Sequence, residues 1–267
     1  GYFAGGNSGP GTPYSTIDRI DFSNDTPTAS PKGALTAAKR YSMGVSSQGN
    51  GLTSTPTFIP RIRWVDSLTE GDAPTPGYGY AAGDNPTDSQ IERIDFNNDT
   101  ADTLIKGSLP SAGRSMGAVS SPSHGYIGGG YYPSIGTISH IYRVDYANDT
   151  ATTSQVGNFN TPGKIYANAV GNKDFGYFGG GRNPNITTIQ RLDFSNDSAN
   201  CLVKGAMTAT TYSRGTAGNL NFGYFAGGYD PATQPNYNRS LVDRIDYSND
   251  TAVASPKGSL SQSRSYI

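Results

Sequence analysis

The chain has 267 residues, a formal net charge of −1 and only 15% charged residues, against 35 glycines and 18 tyrosines. Glu70 and Glu92 are the only glutamates and 7 residues are lysine, so the usual filling of helix surfaces is missing and a helical bundle is not expected. The near-neutral charge gives no footprint for nucleic acid, no apolar run approaches the roughly 18 residues that cross a bilayer, and the single Cys201 excludes an internal disulfide or a cysteine-based zinc cluster.

The first predicted strand is Gly1-Tyr-Phe-Ala-Gly-Gly6. A loop over 7–15 leads to Arg19-Ile-Asp-Phe-Ser-Asn-Asp-Thr26, where alternation puts Ile20 and Phe22 on one face and Arg19 and Asp21 on the other. Asn-Asp-Thr reads as a turn, because short polar side chains bond nearby backbone. Lys32-Gly-Ala-Leu35 follows, and the basic Arg40 opens another strand. The same order then returns four times. The Gly-Tyr phrase recurs at Gly79, Gly125, Gly176 and Gly223, and the Arg-x-Asp phrase at Arg93, Arg143, Arg191 and Arg244. The Lys-Gly phrase recurs at Lys106, Val156, Lys204 and Lys257, and the basic opener at Arg114, Lys164, Arg214 and Arg264. No signal peptide is read at the N-terminal end, where no basic segment precedes an apolar one.

Four short strands per unit, repeated, is the logic of a β-propeller. The order Leu109…Arg114…Gly125-Tyr-Ile-Gly-Gly-Gly130…Ile141-Tyr-Arg-Val-Asp-Tyr146 resembles the kelch repeat, although the kelch outer-strand Trp is absent from every unit. The wording Asp-Arg-Ile-Asp-Tyr-Ser-Asn-Asp-Thr is similar to repeats in structural proteins of marine bacteriophages. The resemblance implies an all-β, five-bladed β-propeller of four-stranded kelch-like blades. Its ring would be closed by pairing of the N- and C-terminal strands, 1–6 with 264–267, in a single domain spanning 1–267. Residues 48–77 read as an insertion between the first and second strands of one blade; a degenerate sixth blade is the other reading. Extracellular or virion localisation is expected.

Antiparallel order assigns the loops between second and third strands to one face, where recognition is expected on a rigid frame. The candidate ligand-binding residues there are Tyr14, Tyr131, Tyr132, Arg182, Asn183, Tyr229, Asp230, Tyr237 and Arg239. Tyr and Asn offer stacking area with a polar tip, which suits sugars and protein surfaces. Arg61, Arg63 and Trp64, in the most basic short run, are candidates for an assembly contact.

The recurring pairs Arg19/Asp21, Arg93/Asp95, Arg143/Asp145, Arg191/Asp193 and Arg244/Asp246 read as structural ion pairs at blade interfaces, because a catalytic group is needed once and packing is needed five times. The Asn-Asp-Thr turns offer two carboxylates each, too few for a calcium loop, and their sequons at Asn24, Asn98, Asn148, Asn196 and Asn249 are explained by the turn. His124 and His140 have no His or Cys partner in another repeat, and Cys201 reads as a small apolar residue. No metal site, cofactor or catalytic group is therefore expected.

The leading expectation is a non-catalytic appendage propeller that binds a surface glycan, or a protein of the host or of its own assembly, through its variable loops. A purely architectural subunit assembling through 48–77 is the alternative, and an enzyme using the propeller channel the third reading. No nucleic acid or membrane insertion is expected, and an oligomer within a larger assembly is possible.

Overall fold

The computed structural model describes residues 2–4, 14–19, 21, 23–39, 78–82, 89–95, 104–160 and 162–266. The architecture is all-β, with every strand pair antiparallel. Three sheets have four strands each. The first joins β7 (Gly117–Ser120), β8 (His124–Gly128), β11 (His140–Asp145) and β12 (Ser154–Asn158). The second joins β13 (Asn168–Gly171), β14 (Phe175–Gly179), β15 (Thr188–Asp193) and β16 (Leu202–Ala206). The third joins β17 (Gly215–Gly218), β18 (Phe222–Ala226), β19 (Val242–Asp246) and β20 (Ser255–Pro256).

Two sheets have three strands among the described residues: β1 (Tyr2–Ala4), β2 (Tyr14–Arg19) and β3 (Ser30–Lys39), and β4 (Tyr78–Ala82), β5 (Gln90–Asp95) and β6 (Leu104–Ser108). A small hairpin, β9 (Tyr131–Tyr132) with β10 (Gly136–Thr137), stands in the β8–β11 connection. The sheets are numbered as units 1 to 5 in chain order below.

The repeated phrases set one register. The Tyr of the Gly-Tyr phrase faces the Arg of the Arg-x-Asp phrase in every unit: Tyr2↔Arg19, Tyr80↔Arg93, Tyr126↔Arg143, Tyr177↔Arg191 and Tyr224↔Arg244. The Asp two residues after the Arg then caps a one-turn 3-10 helix. Asp145 accepts from Ala147 N, Asp193 from Ser195 N and Asp246 from Ser248 N. Asp21 accepts from Ser23 N in the same way. This is the local bonding that Asp favours over continued strand.

The core lies between successive units. The middle strands β14 and β18 are buried on both faces after their first residue, as in sheets covered on two sides. Val119 and Tyr126 of unit 3 pack with Phe178 and Leu192 of unit 4; Val170 and Tyr177 of unit 4 pack with Phe225 and Ile245 of unit 5. Ile91 and Leu109 of unit 2 pack with Met116 and Ile127 of unit 3. Tyr224 and Val242 of unit 5 pack with Ala29 of unit 1, so the last unit adjoins the first.

The segments entering β7, β13 and β17 share a left-handed residue: Ser115 (φ 61), Tyr166 (φ 57) and Ser213 (φ 55), with Tyr266 (φ 56) as a fourth. Backbone hydrogen bonds link them in series, from Tyr166 N to Ser115 O, Ser213 N to Tyr166 O and Tyr266 N to Ser213 O. Against this marker the basic openers are not equivalent. Arg114 stands one residue before it, Lys164 and Arg264 two before, and Arg214 one after. Arg114 is accordingly exposed, while Lys164, Arg214 and Arg264 are buried. Arg40 and the whole 48–77 segment, with Arg61, Arg63 and Trp64, lie outside the described residues. Pairing of 1–6 with 264–267 is not among the described bridges; Arg264 bridges Arg239 instead.

Candidate functional site

Cross-strand pairing of Tyr with Arg aims both polar tips at one carboxylate of the next unit. Asp149 accepts from Arg93 Nη1 at 2.7 Å and Tyr80 OH at 3.0 Å. Asp197 accepts from Arg143 at 2.8 Å and Tyr126 at 3.1 Å, and Asp250 from Arg191 at 2.8 Å and Tyr177 at 3.1 Å. Asp25 accepts from Arg244 at 2.6 Å and Tyr224 at 2.8 Å, joining unit 5 to unit 1. The Lys of the Lys-Gly phrase adds a second cation, the third partner of the carboxylate: Lys106 to Asp149, Lys204 to Asp250 and Lys257 to Asp25. In units 3, 4 and 5 the aromatic after Arg-x-Asp stacks on the preceding unit's tyrosine: Tyr146 on Tyr80, Phe194 on Tyr126 and Tyr247 on Tyr177.

The partner of each Arg is thus the Asp of the neighbouring Asn-Asp-Thr turn. The Asp two residues along, which the sequence pairs with it, is the cap. The side chains of Arg19 and Asp95 lie outside the described residues. Burial raises the Asp25 carboxyl, but the hydrogen bonds from Tyr224 and Arg244 and the charges of Arg244 and Lys257 outweigh it and hold it below its ordinary value. Burial and the adjacent carboxylate push the Tyr80, Tyr177 and Tyr224 phenols well up, so they remain protonated donors. These polar groups hold one another.

The variable loops and the entries to β7, β13 and β17 occupy the opposite end of the sheets from the Asn-Asp-Thr turns. Antiparallel bridges Arg114↔Tyr131, Ile165↔Arg182 and Tyr212↔Tyr229 fix side chains side by side there. Tyr229 is half-buried between Tyr212, at 5.1 Å, and Tyr237, stacked at 4.9 Å. Tyr212 in turn stacks on Tyr166 at 5.5 Å, and Tyr266 meets Tyr166 edge-on. Five rings therefore run in series from Tyr237 to Tyr266. The Arg182 guanidinium sits 5.8 Å from the Tyr212 ring and that of Arg114 5.2 Å from Tyr131.

Several residues expected in this site belong elsewhere. Tyr132 is buried, with its hydroxyl on Met116 Sδ at 3.2 Å and its ring against Tyr142, because alternation along β9 turns it inward from Tyr131. Asp230 is buried and binds Arg239 Nε at 3.0 Å and Nη2 at 2.9 Å, so this pair shapes the 229–241 loop. Arg182 and Asn183 are exposed, and Tyr131 and Tyr237 are half-buried. Tyr14 pairs with Lys39 at the start of β2, and its side chain is outside the described residues. Sequence reasoning missed Arg114, Tyr166 and Tyr212. All three lie in the entry segments, whose left-handed residue carries no sequence signature.

Among the described residues, no group of three or more His, Cys, Asp or Glu side chains could hold a metal ion, and no helix is long and apolar enough to cross a membrane. His124 and His140 stand at opposite ends of the β8–β11 pair, with Nδ1 on Ser123 Oγ and on Tyr142 OH respectively. Cys201 is buried, and burial pushes its thiol up to about 12. Comparison with protein-family models and with curated proteins gives no match.

Proposed function

We propose that the chain is a five-bladed, kelch-like β-propeller that acts as a non-catalytic extracellular or virion appendage module and binds a surface glycan through its loop end. Support for the architecture comes from the common register of the five units and from the Arg–Asp junctions that link units 2 to 3, 3 to 4, 4 to 5 and 5 back to 1. Propeller closure removes the free edges that sheets of this length would otherwise expose. The phage-like wording of the repeats favours a virion setting.

The observation that carries the function is the division of labour between the two ends. The recurring polar residues are consumed in junctions and caps. The loop end instead carries non-repeated tyrosines, half-buried and in series, and exposed arginines. Such rings present apolar faces with polar tips, the surface that sugar rings stack upon. Binding of the purified chain to immobilised glycans and to intact cells tests this. Tyr131→Ala with Tyr237→Ala should abolish binding without unfolding the chain. Unchanged binding in that double variant removes the loop end from the function. Electron-microscopic class averages with any symmetry other than a five-lobed ring would overturn the architecture.

A further inference from the structure

We infer that the loop end takes an acidic saccharide, one whose sugar units carry carboxylate or sulfate groups. The inference rests on the glycan-binding reading above and narrows it to a ligand class.

The first support is charge. Arg114 and Arg182 are exposed, and neither has a carboxylate partner among the described residues. Two acids of this end are already paired: the buried Asp230 with the partly exposed Arg239, and Asp243 with Arg214, both buried. The exposed caps Asp145 and Asp21 belong to the opposite end of the sheets. The described part of the loop end is therefore cationic on a chain whose net charge is only −1.

The second support is placement. Arg114 precedes Ser115, whose carbonyl accepts from Tyr166 N, and Arg182 bridges Ile165, the residue before Tyr166. The two arginines thus stand on neighbouring units either side of one entry segment. Each guanidinium is set against a ring, Tyr131 or Tyr212. A planar guanidinium held this way keeps its N–H edge for a bidentate carboxylate or sulfate. Tyr237, the half-buried outer ring of the Tyr212–Tyr229–Tyr237 series, supplies the stacking face for the sugar rings that carry those groups, and the buried Tyr212 backs the series beside Arg182. A polymer with charges spaced along it could engage both arginines at once, which raises avidity without further contacts.

The test uses the full chain on a surface bearing neutral polysaccharides (dextran, mannan), a carboxylated set (oligogalacturonate) and a set that carries sulfate without carboxylate (dextran sulfate). Binding to one acidic set and not to the neutral set is expected, weakening as salt rises. Arg114→Ala with Arg182→Ala, both at exposed positions, should lower that binding at least tenfold with unchanged thermal unfolding. Which acidic set binds separates carboxylate from sulfate recognition. Binding to neutral sugars without acidic preference overturns this inference and leaves the glycan reading standing. Binding to no glycan overturns both. Acidic binding that the double variant retains moves the site away from these arginines.

Discussion

Arg264 donates from Nη2 to Asp18 Oδ2 at 2.6 Å, with both side chains fully buried and a sequence separation of 246. Ser261 Oγ fills the other carboxylate oxygen at 2.8 Å. The last described residues of the chain are therefore held to the first sheet by charge. Unit 5 uses the same device, Arg214 to Asp243 at 2.8 Å, with Thr208 on the second oxygen. Removing one partner of such a pair leaves a buried charge uncompensated, at a cost of about 3–5 kcal/mol. Asp18→Asn should lower unfolding stability by about that amount in urea titration. Asp18→Leu combined with Arg264→Met, which removes both charges, should recover most of the loss. A single variant with unchanged stability would show that the two ends do not meet.

The junction carboxylates should differ in value, because their cation sets differ. Asp250 has Arg191, Lys204 and Tyr177, whereas Asp197 has Arg143 and Tyr126, since Val156 stands at the lysine position. Asp250→Ala should cost about 3 kcal/mol and Asp197→Ala measurably less. Val156→Lys should return about 0.5 kcal/mol, the scale of a partly exposed pair. The pH dependence has a definite sign. The Asp25 carboxyl is held below the ordinary 3.8, so its contribution is complete above that value and fades as pH falls through the lower, folded one. Chemical denaturation at pH 3 and pH 6 should show the loss in the parent chain and a smaller one in Asp25→Asn.

The glycine of the Lys-Gly phrase is a steric requirement. A Cβ on Gly205 would stand 1.9 Å from the Ala252 carbonyl oxygen, and one on Gly107 2.1 Å from that of Ala151. Both glycines also donate their N–H to the junction Asp carbonyl, Gly205 to Asp250 at 2.8 Å and Gly107 to Asp149 at 2.7 Å. A side chain there must push two units apart. Gly205→Ala should destabilise by about 2–3 kcal/mol, an overpacking cost. Gly136→Ala is the contrasting case, with open space around it but φ +84, and should cost only about 1 kcal/mol. Equal melting-temperature shifts for the two would refute the steric account.

The repeated wording made the strand order, the turns and the core tyrosines of the Gly-Tyr phrase readable, because a strand's register is carried by its own residues. What it could not carry is contact between units. Arg191 stands two residues from Asp193, and proximity in sequence suggested that pair, yet its carboxylate partner is Asp250, 59 residues away. Position along the chain also misled at the basic openers. Arg114, Lys164 and Arg214 occupy three different positions relative to the left-handed residue, and only the backbone reveals that marker. Within the candidate site, Tyr131 and Tyr132 differ by alternation alone, and the loop around them gave no strand to count along until β9 was seen.

Lys164 is the position where the same register leaves a charge without a carboxylate. It is equivalent to Arg264, and Gln190 is equivalent to Asp18, so the unit 4 copy of the buried pair lacks its acid. Nζ has no hydrogen-bond partner among the described residues and lies 4.6 Å from the Phe159 ring, and burial pulls the amine down from 10.5 to about 8. A base whose folded value is lowered binds more protons than the folded state when unfolded, so stability rises with pH between about 8 and 10.5, is lost as pH falls through that window, and stays at the lower level below it. The penalty at pH 7 is on the order of 3 kcal/mol. Lys164→Met, similar in volume and uncharged, should therefore be more stable than the parent at pH 7, and the advantage should shrink as pH is raised from 8 to 10. Gln190→Glu, which returns an acid to the pair, should also stabilise the chain at pH 7. Urea midpoints for the three proteins across that range decide it: a Lys164→Met chain less stable than the parent at pH 7 would mean that the amine is satisfied in solution.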